Sequence, residues 1–165
     1  MLPSSKGAPV RVASVNVGTV DVYVIDPARP AWRVLVLQRS SGTRCPGAWE
    51  TVHGHIEGEE TPQQAAEREV SEETGLAIQR LYVISVQPFF LQKTQAVEMA
   101  IVFAAFVDAG DAVRLGDEHS RYEWLDVERA GARFLWPRER LALGEIRQLL
   151  SGGDAGPAED VLRIR

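Results

Sequence analysis

Residues 61–75 define one helix with a chemical start and a chemical stop, set between runs that carry the periodicity of strands. Thr61 suits the N-cap, where its hydroxyl accepts an orphan backbone N–H, and Pro62 suits the first helical position, where no N–H is needed. Gln64, three residues after Thr61, can complete a capping box. Residues 62–74 are mostly good helix formers, and Gly75 fits the C-terminal stop. Ahead of the helix, within residues 10–25, Val20, Val22 and Val24 alternate with Asp21 and Tyr23, the period of a half-buried strand. Gly18 is a candidate break. Residues 32–38 form another strand with Val34 and Val36 on one face and Leu35 and Leu37 on the other. Both faces are apolar, so this strand is central. Residues 49–56 read as a short extended piece. Beyond the helix, strands are expected at 77–86, 97–107 and 122–125. Residues 137–150 have helical character, with Leu141, Ile146, Leu149 and Leu150 sharing a face and Gly152-Gly153 ending it. This order implies an α/β sandwich with a mixed sheet rather than a doubly wound parallel one.

A chain of 165 residues fits a single domain, and 45% apolar residues suffice for a core without a disulfide or a structural metal. Residues 1–9 read as a flexible N-terminus, 10–151 as the domain and 152–165 as a mobile C-terminal tail. A net charge of −5 argues against a general nucleic-acid partner. It leaves a phosphorylated small molecule open, because a bound metal reverses the local sign. The lone cysteine, Cys45, cannot close an internal disulfide and reads as an inert thiol. No run is long enough to span a bilayer and the N-terminus lacks a signal-like apolar stretch, so a cytoplasmic protein is expected.

The helix carries an unusual charge pattern. Between Gly54 and Leu76 stand seven glutamates (Glu57, Glu59, Glu60, Glu67, Glu69, Glu72 and Glu73), with Arg68 the only basic residue. Glu69 shares a face with Glu72 and Glu73, since residues three and four apart are neighbours on a helix. These like charges repel one another and lie toward the C-terminal half, where the helix dipole disfavours anions. A solvated charged face is the plain reading of such a run. A cluster of hard oxygen ligands for Mg²⁺ or Mn²⁺ is the other.

Residue order favours the second reading. The stretch GHIEGEETPQQAAEREVSEETGL fills every defined position of the Nudix box: Gly54, Glu60, Arg68, Glu69, Val70, Glu72, Glu73, Gly75 and Leu76. Resemblance to the Nudix hydrolases implies an α/β/α sandwich with a mixed central sheet and a catalytic loop–helix–loop at residues 54–76. It further implies Mg²⁺-dependent, or Mn²⁺-dependent, hydrolysis of a phosphoanhydride. Glu69, Glu72 and Glu73 match the family's metal ligands, and Arg68 resembles the residue that orients them. Gly54 and Gly75 fall on the turns flanking the helix. The patches VLVLQRS, GAWETVHGHIEGEE and EHSRYEWLD resemble the bacterial dihydroneopterin triphosphate pyrophosphatases, a Nudix branch that also acts on dNTPs such as dATP. That likeness assigns Glu118 as a further metal ligand and Arg39 as a substrate contact. It also brings His53 beside the substrate, where the branch has Thr.

Other residues compete for roles. Glu98 is a rival to Glu118 for the distal ligand or base. His119 reads as structural or supporting, and His55 as a loop residue. Trp49 and Trp124 read as core, Phe89 and Phe90 as core or interface residues, and Trp136 as a candidate pocket flank. The implied reaction has a metal-activated water attacking phosphorus, with Glu72 as ligand or general base, and releases a monophosphate and pyrophosphate from a nucleoside or dihydroneopterin triphosphate. Alternatives are a dinucleoside polyphosphate, ADP-ribose or nucleotide-sugar pyrophosphatase, and a non-catalytic nucleotide-binding domain. The resemblance is compatible with a homodimer.

Overall fold

The structure is a computed structural model that describes residues 12–28, 30–108 and 110–165. The expectation for residues 1–9 lies outside the described residues. In chain order the elements are β1 (Ser14–Asp26), β2 (Arg33–Arg39), β3 (Trp49–Glu50), β4 (Val52–His55), α1 (Pro62–Thr74), β5 (Ile78–Leu91), β6 (Ala96–Val107), β7 (His119–Asp126), α2 (Val127–Arg133) and α3 (Pro137–Leu150). A short 3-10 turn (Gly156–Ala158) and α4 (Glu159–Leu162) follow. The strands form one mixed sheet in the order β3-β2-β1-β6-β5, with β4 also on β1 and β7 also on β2. β1 runs parallel to β6 and antiparallel to β2 and β4.

The two faces of the sheet carry separate apolar clusters, as period-two alternation requires. Val20, Val22, Val24, Leu35 and Leu37 pack under α1 with Ala65, Ala66 and Val70. Tyr23, Ile25, Val34 and Val36 pack with Ala130, Leu143, Ile146 and Leu150 of α2 and α3. The result is an α/β/α sandwich. β1 differs from the half-buried strand that its alternation suggests: Asp21 and Tyr23 are as buried as the valines, because helices cover both faces.

Helix α1 starts and stops as its sequence dictates. Thr61 Oγ1 accepts from Gln64 N at 3.2 Å, Gln64 Oε1 accepts from Thr61 N at 2.8 Å, and Gly75 ends the helix at φ 67°. The buried face of α3 is not the one expected. Ala142, Leu143, Ile146 and Leu150 face the core, while Leu141 and Leu149 point outward. Helical spacing alone left both stripes apolar, and the packing of α2 beside α3 selected one. Helix α2 was not expected; Asp126 caps it by accepting from Arg129 N at 2.9 Å.

Residues 152–165, expected as a tail outside the domain, fold back onto it. Ala155 is buried in the α3-side core, Ile164 N donates to Leu81 O at 2.8 Å, and Arg165 lies 3.7 Å from Glu67 on α1. Among the described residues no helix is long and apolar enough to cross a membrane.

One buried acid joins α3 to the sheet. Glu139 Oε1 accepts from Thr51 N at 2.8 Å and its Oε2 accepts from Trp136 N at 3.3 Å. Burial, reinforced by the nearby Asp21 charge, pushes its pKa up from 4.5 to about 8. The folded protein therefore holds a proton that the unfolded chain releases, so this group's contribution to stability falls as pH rises from about 4.5 to about 8. Glu139→Gln is expected to flatten the dependence of Tm on pH across that window. Parallel thermal melts of both proteins at pH 5 and pH 8 check it, and an unchanged slope would refute it.

Candidate active site

Helix α1 delivers its glutamates to one region because Arg68 gathers them. Its Nε and Nη2 meet Glu60 at 2.7 and 3.0 Å, and its Nη1 meets Glu69 at 2.8 Å and Glu72 at 3.2 Å. The remaining Nη2 hydrogen goes to His55 O at 2.8 Å, so all five guanidinium donors are used. Hydrogen bonds from Arg68, joined by one from Glu57, pull the half-buried Glu60 carboxyl down to about 2. Gly54 lies on β4 against the same cluster. A Cβ there would stand 1.9 Å from Glu69 Oε1, so the glycine is required by close approach and not by a turn.

Glu73 lies behind these residues, on the buried side of α1. Its Oε2 is buried without a hydrogen-bond partner. Burial, and then the charges of Glu69, Glu50 and Glu118, push its pKa up to about 9. The C-terminal end of α1 is closed by the loop before β7. Arg114 N donates to Thr74 O at 2.8 Å and Gly116 N to Glu73 O at 3.2 Å, satisfying carbonyls that a helix end leaves open. A Cβ on Gly116 would come within 2.8 Å of Glu72 O, so a glycine permits this contact. Two residues later the chain presents Glu118.

Two features here are missing from the sequence reading. Glu50 on β3 is buried, and its Oε1 meets Arg39 Nη1 at 2.7 Å and His119 Nε2 at 3.2 Å. Burial would raise its pKa, but the hydrogen bonds from His119 and Arg39 outweigh burial and hold it below the usual value. His119 Nδ1 in turn lies 3.7 Å from Glu73 Oε2. Arg39 is thus gripped by protein partners, with Glu118 3.4 Å from its Nη2. The second missed feature is Asp21, whose Oδ1 lies 2.5 Å from His53 Nδ1 and whose Oδ2 lies 3.3 Å from Arg138 Nη2. A charged residue amid the β1 valines was the available signal for it.

A cavity of about 740 Å³ joins these groups. Arg39, His53, Gly54, Arg68, Glu69, Glu72 and Glu118 all line it, as does Trp136. Phe89 also belongs to its wall and Phe90 is 55% exposed, so of the core-or-interface reading of this pair the core half does not hold. Trp49 and Trp124 pack against the two cores, as expected. Glu98 accepts from Asn16 at 3.0 Å and is not part of the cavity wall, whereas Glu118 is.

Among the described residues no three His, Cys, Asp or Glu side chains converge in a ready-made ion cage. The donor set nevertheless fits a hard divalent cation. Glu69, Glu72 and Glu118 line one cavity, and Glu73 keeps a buried oxygen unpartnered beside them. Gly54→Ala is expected to fold, because the atom it meets is the end of a side chain, but to drive the Glu69 carboxylate from its place. Displacements of about an ångström cost catalysis on the order of 10²-fold. Turnover assays beside a thermal melt check this, and full activity would overturn the assigned close approach.

A family model described as the NUDIX domain matches residues 16–144 of this chain. Among curated relatives, an octanoyltransferase of Myxococcus xanthus is 35% identical over 114 residues. The match covers 68% of this chain, which spans only 31% of that protein's length. An asymmetrical bis(5'-nucleosyl)-tetraphosphatase of Mus musculus is 28% identical, with 70% of this chain and 79% of that protein covered. Among solved structures, the E. coli dihydroneopterin triphosphate pyrophosphohydrolase superposes with a TM-score of 0.62 at 26% identity, covering 81% of this chain and 96% of that one.

Proposed function

Because the chain belongs to the NUDIX domain family, we propose that it is a divalent-metal-dependent pyrophosphohydrolase that cleaves a nucleoside triphosphate or dihydroneopterin triphosphate into a monophosphate and pyrophosphate. The observation that carries this reading is the clamp of Arg68 on Glu60, Glu69 and Glu72, set beside the buried, unpartnered Glu73 oxygen and facing a cavity of substrate size. The box carboxylates are complete, which favours turnover over mere binding.

Glu69, Glu73 and Glu118 would hold Mg²⁺ or Mn²⁺, with Glu72 a further ligand or the general base. The ion supplies charge neutralisation at the phosphate oxygens and a lowered pKa for a bound water. The protein's own contribution is positional. Arg68 fixes the carboxylate directions, and Gly54 keeps room for Glu69. Glu72, exposed at 59% of its side chain, can take a proton from an attacking water and pass it to solvent. Arg39 would turn its Nη2 from Glu118 to a phosphate oxygen while Glu50 holds the rest of the guanidinium.

A second reading is a dinucleoside polyphosphate hydrolase, favoured by the likeness to the mouse tetraphosphatase. Product analysis separates the two. Pyrophosphate from a triphosphate in the presence of Mg²⁺ supports the first, and two nucleotide products from a dinucleoside substrate support the second. No Mg²⁺-dependent hydrolysis of either type would sink both. Glu73→Gln is expected to reduce kcat by orders of magnitude with the fold intact, since it removes a proposed ligand charge. A near-normal rate would remove Glu73 from the ligand set. Glu118→Gln is expected to cost more turnover than Glu98→Gln, and the reverse order would transfer the distal role to Glu98.

A further inference from the structure

The cavity wall holds a second polar group besides the carboxylates. Asp21 and His53 face each other as a register pair on β1 and β4, and Arg138 reaches them from the first turn of α3. Asp21 is fully buried and lies between the other two, 2.5 Å from His53 Nδ1 and 3.3 Å from Arg138 Nη2. His53 and Arg138 line the cavity in front of it. The Arg138 guanidinium lies 4.6 Å over the Phe89 ring, and its buried Nε has no partner.

These contacts determine what the pair can offer a ligand. In the tautomer that donates Nδ1–H to Asp21, the His53 ring presents Nε2 as an acceptor on its other side. Arg138 retains unused N–H donors, since only Nη2 is engaged, by Asp21. The Asp21 carboxylate balances the Arg138 charge at close range, so the guanidinium acts as a directional donor more than as an anion trap. A donor beside an acceptor is the complement of a carbonyl beside a ring N–H. Trp136, 38% exposed on the same wall, supplies an aromatic face for a planar ring.

We propose that Asp21, His53 and Arg138 form a subsite that reads the lactam edge of an oxo-substituted bicyclic heterocycle, so that guanine-type or pterin-type substrates are selected over adenine-type ones. This rests on reading the cavity as the substrate pocket. An adenine edge presents an amino donor where the lactam presents its carbonyl. That donor would face the Arg138 donors and leave buried groups unpaired, which is the most discriminating kind of mismatch. Asp21 is a positioning residue here: it orients His53 and Arg138 and meets no ligand itself.

The test separates recognition from chemistry. Binding of GMP and AMP is measured by calorimetry in EDTA, without turnover, for the wild type, Arg138→Met and Arg138→Lys. The wild type is expected to bind GMP at least about tenfold more tightly than AMP, the scale of one well-made pair of ring-edge hydrogen bonds. Both variants are expected to shrink that ratio toward unity. The lysine variant keeps a charge beside Asp21, so it remains informative if the methionine variant fails to fold. Equal binding of GMP and AMP by the wild type would overturn the proposal. So would a ratio unchanged in a folded variant, or an equal loss for both ligands, which would mark Arg138 as a phosphate contact. A GMP preference in a protein that hydrolyses no triphosphate would leave the subsite standing and refute the hydrolase reading instead.

Discussion

Arg68 is the constraint on which the arrangement of the site depends. A helix that sets Glu69 three and four residues before Glu72 and Glu73, with Glu60 just ahead of it, is penalised by repulsion between neighbouring carboxylates. One guanidinium offsets much of this by donating to three of those carboxylates. It also ties α1 to the preceding strand through His55 O, so the orientation of the helix and the orientation of its acids are one property. Glu73 lies outside that clamp, and burial pushes its pKa up. Glu69 and Glu72 are thus held in direction by hydrogen bonds, whereas Glu73 is held in place by burial.

The remaining acids of the fold are satisfied in different ways according to where they lie. Glu139 is buried where two backbone N–H groups meet it, and it staples the first turn of α3 to the strand segment around Thr51. Thr51 in turn donates its hydroxyl to Val22 O at 2.7 Å, so α3, β1 and the β3–β4 bend are linked through one residue. Glu50 is stabilised as an anion by Arg39 and His119. Asp21 lies between His53 and Arg138. Buried charge with a partner on each side is tolerable, whereas the same charge left alone costs several kcal/mol, on the order of 3–5 when one partner is removed. The cavity therefore has two kinds of polar wall: acids clustered on α1 and before β7, and compensated pairs contributed by β1, β3, β4 and α3.

Much of this was legible in the residues themselves. Thr61, Pro62, Gln64 and Gly75 specify α1 because capping is local chemistry, decided within a few residues of each helix end. The alternation in β2 specifies two covered faces because side chains on a strand have a period of two. The order of residues 54–76 specifies the family and gathers the candidate ligands, since helical spacing alone aligns Glu69 with Glu72 and Glu73. What the local pattern could not reach were partners far apart in the chain. The burial of Asp21 requires helices on both sides of β1. The outward turn of Leu141 and Leu149 requires the position of α2. The docking of residues 152–165 requires the backbone of β5, which a tail of modest apolarity does not reveal. Periodicity and caps act over one turn or one strand, and so residue order alone specified the box and most of the elements, though not α2 or α4. Glu50 against His119, and Arg138 against Asp21 across 117 residues, exist only after the sheet has closed, so tertiary structure alone decided the second wall of the cavity.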